Sequence, residues 1–205
     1  MRRLSSHFLV SATLCAVMCA AALPAQALAQ GDPVVFLKKQ DKQVRSILER
    51  AADAKRADKL SKALNRMLDF EVLSKHALDA HWDGLTPAQR TEFVDLLRQL
   101  VERSYQKNMK STANYQVRYG DAREATTGTV VQTTARSRKN RRAPEVSIDY
   151  TMTVRDGQWK VYDVVTDGVS LVDNYRSQFN RIIRKKGFDA LVEKMRTRLA
   201  KQGVM

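Results

Sequence analysis

The spacing of apolar and polar positions changes period twice along the chain. Behind Asp32-Pro33, a cap followed by a first-turn proline, Val44, Ile47, Leu48 and Ala51 recur at helical intervals. Leu60, Ala63, Leu64, Met67 and Leu68 repeat the pattern, and the segment Asp69 to Trp82 follows. Thr86-Pro87-Ala88-Gln89 then reads as a capping box with proline at the first helical position. Phe93, Leu96, Leu97, Leu100 and Val101 fall on one face, predicting a long amphipathic helix that ends near Lys110.

From Tyr115 the period becomes alternating. Gly128 to Ala135, Val146 to Val154 and Gln158 to Thr166 read as strands, with Asp156-Gly157 as the tight turn joining the last two. In the middle strand Val146, Ile148, Tyr150, Met152 and Val154 share one face, and Ser147, Asp149, Thr151 and Thr153 the other. Helical spacing returns with Leu171, Val172, Tyr175, Phe179, Ile182 and Ile183, stops at Gly187, and resumes with Phe188, Leu191, Val192, Met195 and Leu199 before Gly203. Helices, strands and helices with no linker between them predict one α+β domain, its helices packed on one face of a curved antiparallel sheet.

The N-terminus has its own logic. Arg2 and Arg3 precede an uncharged run of 16 residues, Phe8 to Leu23, and Pro24 leads into Ala27-Leu28-Ala29. That is the layout of a secretory signal peptide over residues 1–29, cleaved after Ala29 or, as second choice, Ala27. The run falls short of the roughly 20 residues a membrane span needs. Leu14 and Met18 stand directly before the two cysteines, where a lipidated cysteine expects a small residue. Cys15 and Cys19 both lie in the removed segment, so residues 30–205 are expected to hold no disulfide, thiol chemistry or cysteine-bound metal.

Charge narrows the partners. The first 29 residues hold two arginines and no acid, so the rest carries 34 Lys and Arg (36 less these two) against 22 Asp and Glu, a net charge of +12. Such a surface favours nucleic acid, anionic membrane or an acidic partner, and export removes most of the weight from nucleic acid. Arg136, Arg138, Lys139, Arg141 and Arg142 fall between two strands and are expected at a hairpin tip. They form either a solvated charged loop or a docking surface for lipid phosphate or an acidic partner.

Catalytic chemistry is sparse. The chain has no phosphate-cradling Gly-x-x-x-x-Gly-Lys signature and no HExxH, and His76 and His81 are five apart, off the spacing of a helical metal pair. Asp163 follows Trp159 and Val161 on what regular alternation makes the apolar face. It could serve as a general base in a pocket. Alternatively it pairs with an arginine, for which Arg176 is the candidate, or caps a backbone turn. The expectation is a binding protein without catalytic residues, cofactor or metal. An enzyme using Asp163 and a basic scaffold using the arginine-rich tip are the alternatives.

Several blocks resemble one family. They are Leu68-Asp69-Phe70, Trp82, Leu85 to Arg90 with Phe93, and Tyr105, then Trp159 to Val164, Gly168 to Val172 and Asn174 to Phe179. From about Val34 to the C-terminus the chain is similar to the MlaC-like family, the toluene-tolerance auxiliary components of ABC transporters. Two positions depart from the pattern: Asp79 stands where the family carries the glycine of a Leu-Gly pair, and the hairpin tip is unusually rich in arginine.

The resemblance implies an NTF2-like core with extra helices around an apolar cavity, and a periplasmic phospholipid carrier. Members move lipid between an outer-membrane lipoprotein–porin complex and an inner-membrane ABC transporter with an MCE-domain subunit, keeping the outer membrane asymmetric. On that reading, Phe93, Leu97, Val101, Tyr105, Val146, Ile148, Tyr150, Val165, Val169, Leu171, Tyr175 and Phe179 are the expected cavity residues. Phospholipid is cargo and not a cofactor, and nucleic acid is not among the partners.

Overall fold

Asp32 caps the first helix, accepting hydrogen bonds from the Val34 amide at 2.6 Å and the Val35 amide at 3.2 Å. The structure, a computed structural model, describes residues 31–49, 54–112 and 114–202, so the expected signal peptide, Ala51 and Gly203 lie outside the described residues. Helix α1 is Pro33–Glu49 and α2 is Ala54–Met67. The segment between Asp69 and Trp82, unassigned from the sequence, forms helix α3 (Phe70–Leu78) and a 3₁₀ turn (Asp79–His81). Asp69 is its cap, bonded to the Val72 amide at 3.0 Å, and Leu73, Ala77 and Leu78 are its buried stripe.

The capping box of α4 (Pro87–Thr112) closes in both directions: the Gln89 amide donates to Thr86 Oγ1 at 3.3 Å, and the Thr86 amide to Gln89 Oε1 at 3.0 Å. Beyond it run β1 (Tyr115–Ala125), β2 (Gly128–Ser137), β3 (Val146–Arg155), β4 (Gln158–Thr166) and the two-residue β5 (Val169–Ser170). Helices α5 (Leu171–Lys186) and α6 (Phe188–Gln202) follow. The five strands pair antiparallel in chain order. Asp156 and Gly157 both take positive φ (51° and 72°), as the primed turn of a two-residue hairpin requires. Asp167 and Gly168 do the same (47° and 81°) between β4 and β5.

Two departures from regular pairing position the site. In β4, Thr151 stands opposite Asp163 while Met152 stands opposite Val161, so Tyr162 is the extra residue of a β-bulge. At the free side of the same strand, Leu68 bridges Val161, with the Asp69 amide donating to the Val161 carbonyl at 2.8 Å. The entry to α3 thereby covers an edge that would otherwise be unpaired.

Burial is uneven. Helices α3 to α6 bury one another around Leu73, Leu97, Phe93, Phe179, Leu191 and Met195, with Tyr162 reaching in from the sheet. Helices α1 and α2 share a smaller cluster, Val44, Leu60, Ala63 and Leu64, and Leu37 packs on Val131, Met152 and Val161 of the sheet. Together they make one α+β domain on a curved antiparallel sheet, as the periodicity predicted.

Candidate functional site

Between these packed regions the sheet is not filled. A partly enclosed cavity of about 640 Å³ lies against it, a volume within the roughly 300–1,000 Å³ common for small-ligand sites. Its floor is the face carrying Val117 and Tyr119 of β1, Ala135 of β2, Val146, Ile148 and Tyr150 of β3, and Val164 and Thr166 of β4. Leu37, Val44, Leu64 and Met67 of α1 and α2, with Leu68 and Tyr105 packed beside the α1–α2 cluster, and Leu73, Val101, Leu171 and Tyr175 of the other helices close the rest.

Of the twelve cavity residues expected from the sequence, Val101, Tyr105, Val146, Ile148, Tyr150, Val169, Leu171 and Tyr175 line it. Four do not. Phe93 and Leu97 lie on the same stripe as Val101 and Tyr105, but α4 is 26 residues long, and its first half packs within the helical cluster. Phe179 belongs there too, its ring 5.5 Å edge-on from that of Phe93. Val165 is displaced by the bulge at Tyr162, which shifts the alternation by one residue. Val164 therefore stands opposite Tyr150 and faces the cavity, and Val165 pairs with Asp149.

The expected Asp163–Arg176 ion pair is not formed. Asp163 Oδ1 accepts from the Val164 amide at 2.8 Å and the Val172 amide at 3.0 Å, and Oδ2 accepts from the Ser170 hydroxyl at 2.7 Å. Ser170 in turn accepts from the Asp173 amide at 3.0 Å as the cap of α5. The unpaired amides at a helix start attract a carboxylate, and Asp163, in the second half of β4, supplies it. Arg176, one turn further along, donates instead to the His76 carbonyl at 2.9 Å and to Asp173 at 2.8 Å. His76 is half-buried and stacks on Tyr162 with ring centroids 5.0 Å apart. Burial, then the positive charges of Arg176 and Lys75, hold its pKa below the ordinary value.

The signal the sequence reading missed is a polar spot on the α1 side. Asp41 and Arg45, one helical turn apart, both line the cavity and are joined at 2.8 Å. Arg45 Nη1 also donates to the Tyr115 carbonyl at 3.0 Å, tying α1 to the first residue of β1. The hydroxyl-bearing rings of Tyr105, Tyr119 and Tyr150 surround the pair. Burial, then the charge of Asp41, raises all three phenols, with Tyr105 pushed up to about 12, while Arg45 pulls the other way. The repeat Leu37, Asp41, Val44, Leu48 was a legible stripe, but nothing local said that it faced a cavity.

The five basic residues are all exposed. Arg136 is the last residue but one of β2, opposite Gln116, and the other four lie in the connection to β3, where Asn140 folds the backbone by accepting from the Arg142 amide at 3.0 Å. Ala135 pairs with Val146 and Ser137 with Tyr115, so this turn projects from the end of the sheet where Ala135, Val146 and Tyr115 line the cavity. Among the described residues, no group of three or more His, Cys, Asp or Glu is placed to hold a metal ion, and no helix is long and apolar enough to cross a membrane.

The sequence profile of the family described as MlaC protein matches residues 38–197, most of this chain. The chain is a member of the MlaC family. The intermembrane phospholipid transport system binding protein MlaC of Haemophilus influenzae is 23% identical over 130 residues, 62% of this chain and 61% of that protein. The match thus spans about three-fifths of the curated relative's length. The phospholipid-binding protein of Ralstonia solanacearum, solved in complex with a phospholipid, superposes with a TM-score of 0.72 at 25% identity, over 84% of this chain and 99% of that one. Against the MlaC pattern, the departure at Asp79 has a backbone signature: its φ is 50° and ψ is −124°, a conformation glycine adopts freely.

Proposed function

We propose that this MlaC family member is a periplasmic phospholipid carrier, exported by its first 29 residues and working between an outer-membrane lipoprotein–porin complex and an inner-membrane ABC transporter with an MCE-domain subunit. The observation that carries the reading is the mostly apolar cavity between the sheet and helices α1, α2, α4 and α5. Two acyl chains hold on the order of 30 methylenes, and at about 0.8 kcal/mol each their passage through water costs on the order of 24 kcal/mol. A cavity walled by Val101, Val146, Ile148, Leu171 and Val164 removes most of that barrier. Release requires that the protein bind the tails about as well as a bilayer does, and greasy walls with few polar contacts meet that condition.

The arginine-rich turn at the cavity's end of the sheet suits docking, because rim charges act mainly on the rate of encounter. An enzyme reading has less support. Asp163, the candidate base, spends both carboxylate oxygens on Val164, Val172 and Ser170. The deciding experiment is organic extraction of the protein purified from cells, with the lipids counted by mass spectrometry. Close to one phospholipid per chain supports the carrier, and a lipid-free protein that turns over a small polar substrate refutes it.

A further inference from the structure

Among the described residues, the ionisable acids and bases lining the cavity, its tyrosines aside, are Asp41, Arg45 and Asp163. Asp163 is consumed by the start of α5. Arg45 is therefore the one cation in this mostly apolar lining, with 20% of its side chain still exposed, and a largely buried cation is costly unless it is paired and hydrogen-bonded. Its pairing is incomplete. Nε is bonded to Asp41 and Nη1 to the Tyr115 carbonyl, and among the described residues Nη2 meets no acceptor. A guanidinium has five N–H donors in a planar fork, and its best remaining partner is a second oxyanion. The two bonds it makes fix the fork in place, so a ligand need not order it on arrival.

We propose that Arg45 recognises the phosphodiester of the lipid, so that the cavity accepts a diacyl chain pair when a phosphate accompanies it and discriminates against the same chains without one. The inference rests on the carrier reading. The phosphate is common to all glycerophospholipids, so Arg45 separates phospholipid from diacylglycerol without separating one headgroup from another. Asp41 is the internal competitor that keeps the grip weak enough for release. Tyr105, its phenol held protonated beside the pair, is a further donor in the same polar spot, while the Tyr119 phenol is already engaged by Asp41.

The test is competitive loading. The delipidated chain is incubated with vesicles of phosphatidylglycerol and diacylglycerol of identical acyl composition, and bound lipid is extracted and counted. The parent is expected to take up the phospholipid in preference. Arg45→Gln should lower that preference about tenfold, the loss of a charge-assisted hydrogen bond. Arg45→Lys, which keeps the charge and loses the fork, should fall between them. Asp41→Asn, which removes the competitor and leaves Arg45 intact, should raise the preference, and it tests the idea even if Arg45→Gln folds poorly. An unchanged ratio in Arg45→Gln, or in Asp41→Asn should Arg45→Gln not fold, would reduce the pair to a structural tie between α1 and β1 and overturn the proposal. Thermal stabilisation of the delipidated parent by inorganic phosphate, abolished in Arg45→Gln, would assign the site to a free anion and overturn it also. Failure of the parent to load any lipid would refute the carrier reading itself.

Discussion

Asp163 and Ser170 are joined by a 2.7 Å hydrogen bond that fastens the start of α5 to the second half of β4. Because Ser170 is also the cap of α5, the carboxylate, the hydroxyl and the Val172 and Asp173 amides act as one unit. Asp163→Ala should deprive three donors, the Val164 and Val172 amides and the Ser170 hydroxyl, of this acceptor and cost about 1–3 kcal/mol, measured by urea unfolding. Asp163→Asn, which keeps one acceptor, should cost less. Co-purified lipid should stay detectable in both, because Tyr175 is also held by stacking on Phe179. A stable Asp163→Ala variant would show that the α5 start does not depend on this carboxylate.

Ile148 and Val101 both face the cavity, from β3 and α4. In a packed core, replacing either by Trp would cost about 1–3 kcal/mol in strain. In a cavity the added volume displaces part of an acyl chain instead. Ile148→Trp and Val101→Trp should leave the Tm of delipidated protein nearly unchanged while sharply lowering phospholipid per chain. Leu97→Trp is the contrasting control, since Leu97 is fully buried in the helical cluster and should not tolerate the ring.

The basic turn should govern encounter and not capacity. Replacing Arg136, Arg138, Lys139, Arg141 and Arg142 together by Ser should slow association with the two membrane complexes proposed above as partners and flatten its salt dependence, with lipid content unchanged. Stopped-flow association across a salt series checks this, and identical slopes would make the turn an ordinary solvated loop.

Tyr105 gives the protein a specific alkaline weakness. Its folded pKa is raised from 10.0 to about 12, by burial and then by the Asp41 charge, with Arg45 opposing. A group raised in this way contributes stability fully below its unfolded pKa and loses it as pH rises through the folded value. Stability should therefore decline between about pH 10 and pH 12, more steeply in the parent than in Tyr105→Phe. Denaturant midpoints at half-unit pH steps measure the difference. Tyr119 and Tyr150 are shifted in the same direction, so a residual slope should remain.

Asp79 holds a conformation that a side chain adopts at a cost, typically about 1–3 kcal/mol, and glycine gives back part of the gain as chain entropy. Asp79→Gly should stabilise the fold by about 1 kcal/mol, a Tm rise of about 2–4 °C for a chain of this size. Calorimetry decides it, and a lower Tm would mean that the Asp79 side chain makes a contact worth more than the strain.

What could be read from the sequence was what neighbouring residues settle between themselves. The Thr86–Gln89 box, the Asp32 cap with its proline, the Asp156-Gly157 turn and the stop at Gly187 all depend on groups within a few residues of each other. The family was legible for the same reason, since its blocks are short and contiguous. The site was legible only where alternation ran undisturbed, as along Val146, Ile148 and Tyr150. One inserted residue at Tyr162 exchanged Val165 for Val164, and the length of α4 sent Phe93 and Leu97 into the helical core while Val101, packed at its edge, and Tyr105 reach the cavity. The partners of Asp163 and the place of Arg45 beside Tyr115, 70 positions along the chain, were decided by tertiary structure alone. Periodicity states which face of an element is apolar, and only the packing of distant elements states what that face meets.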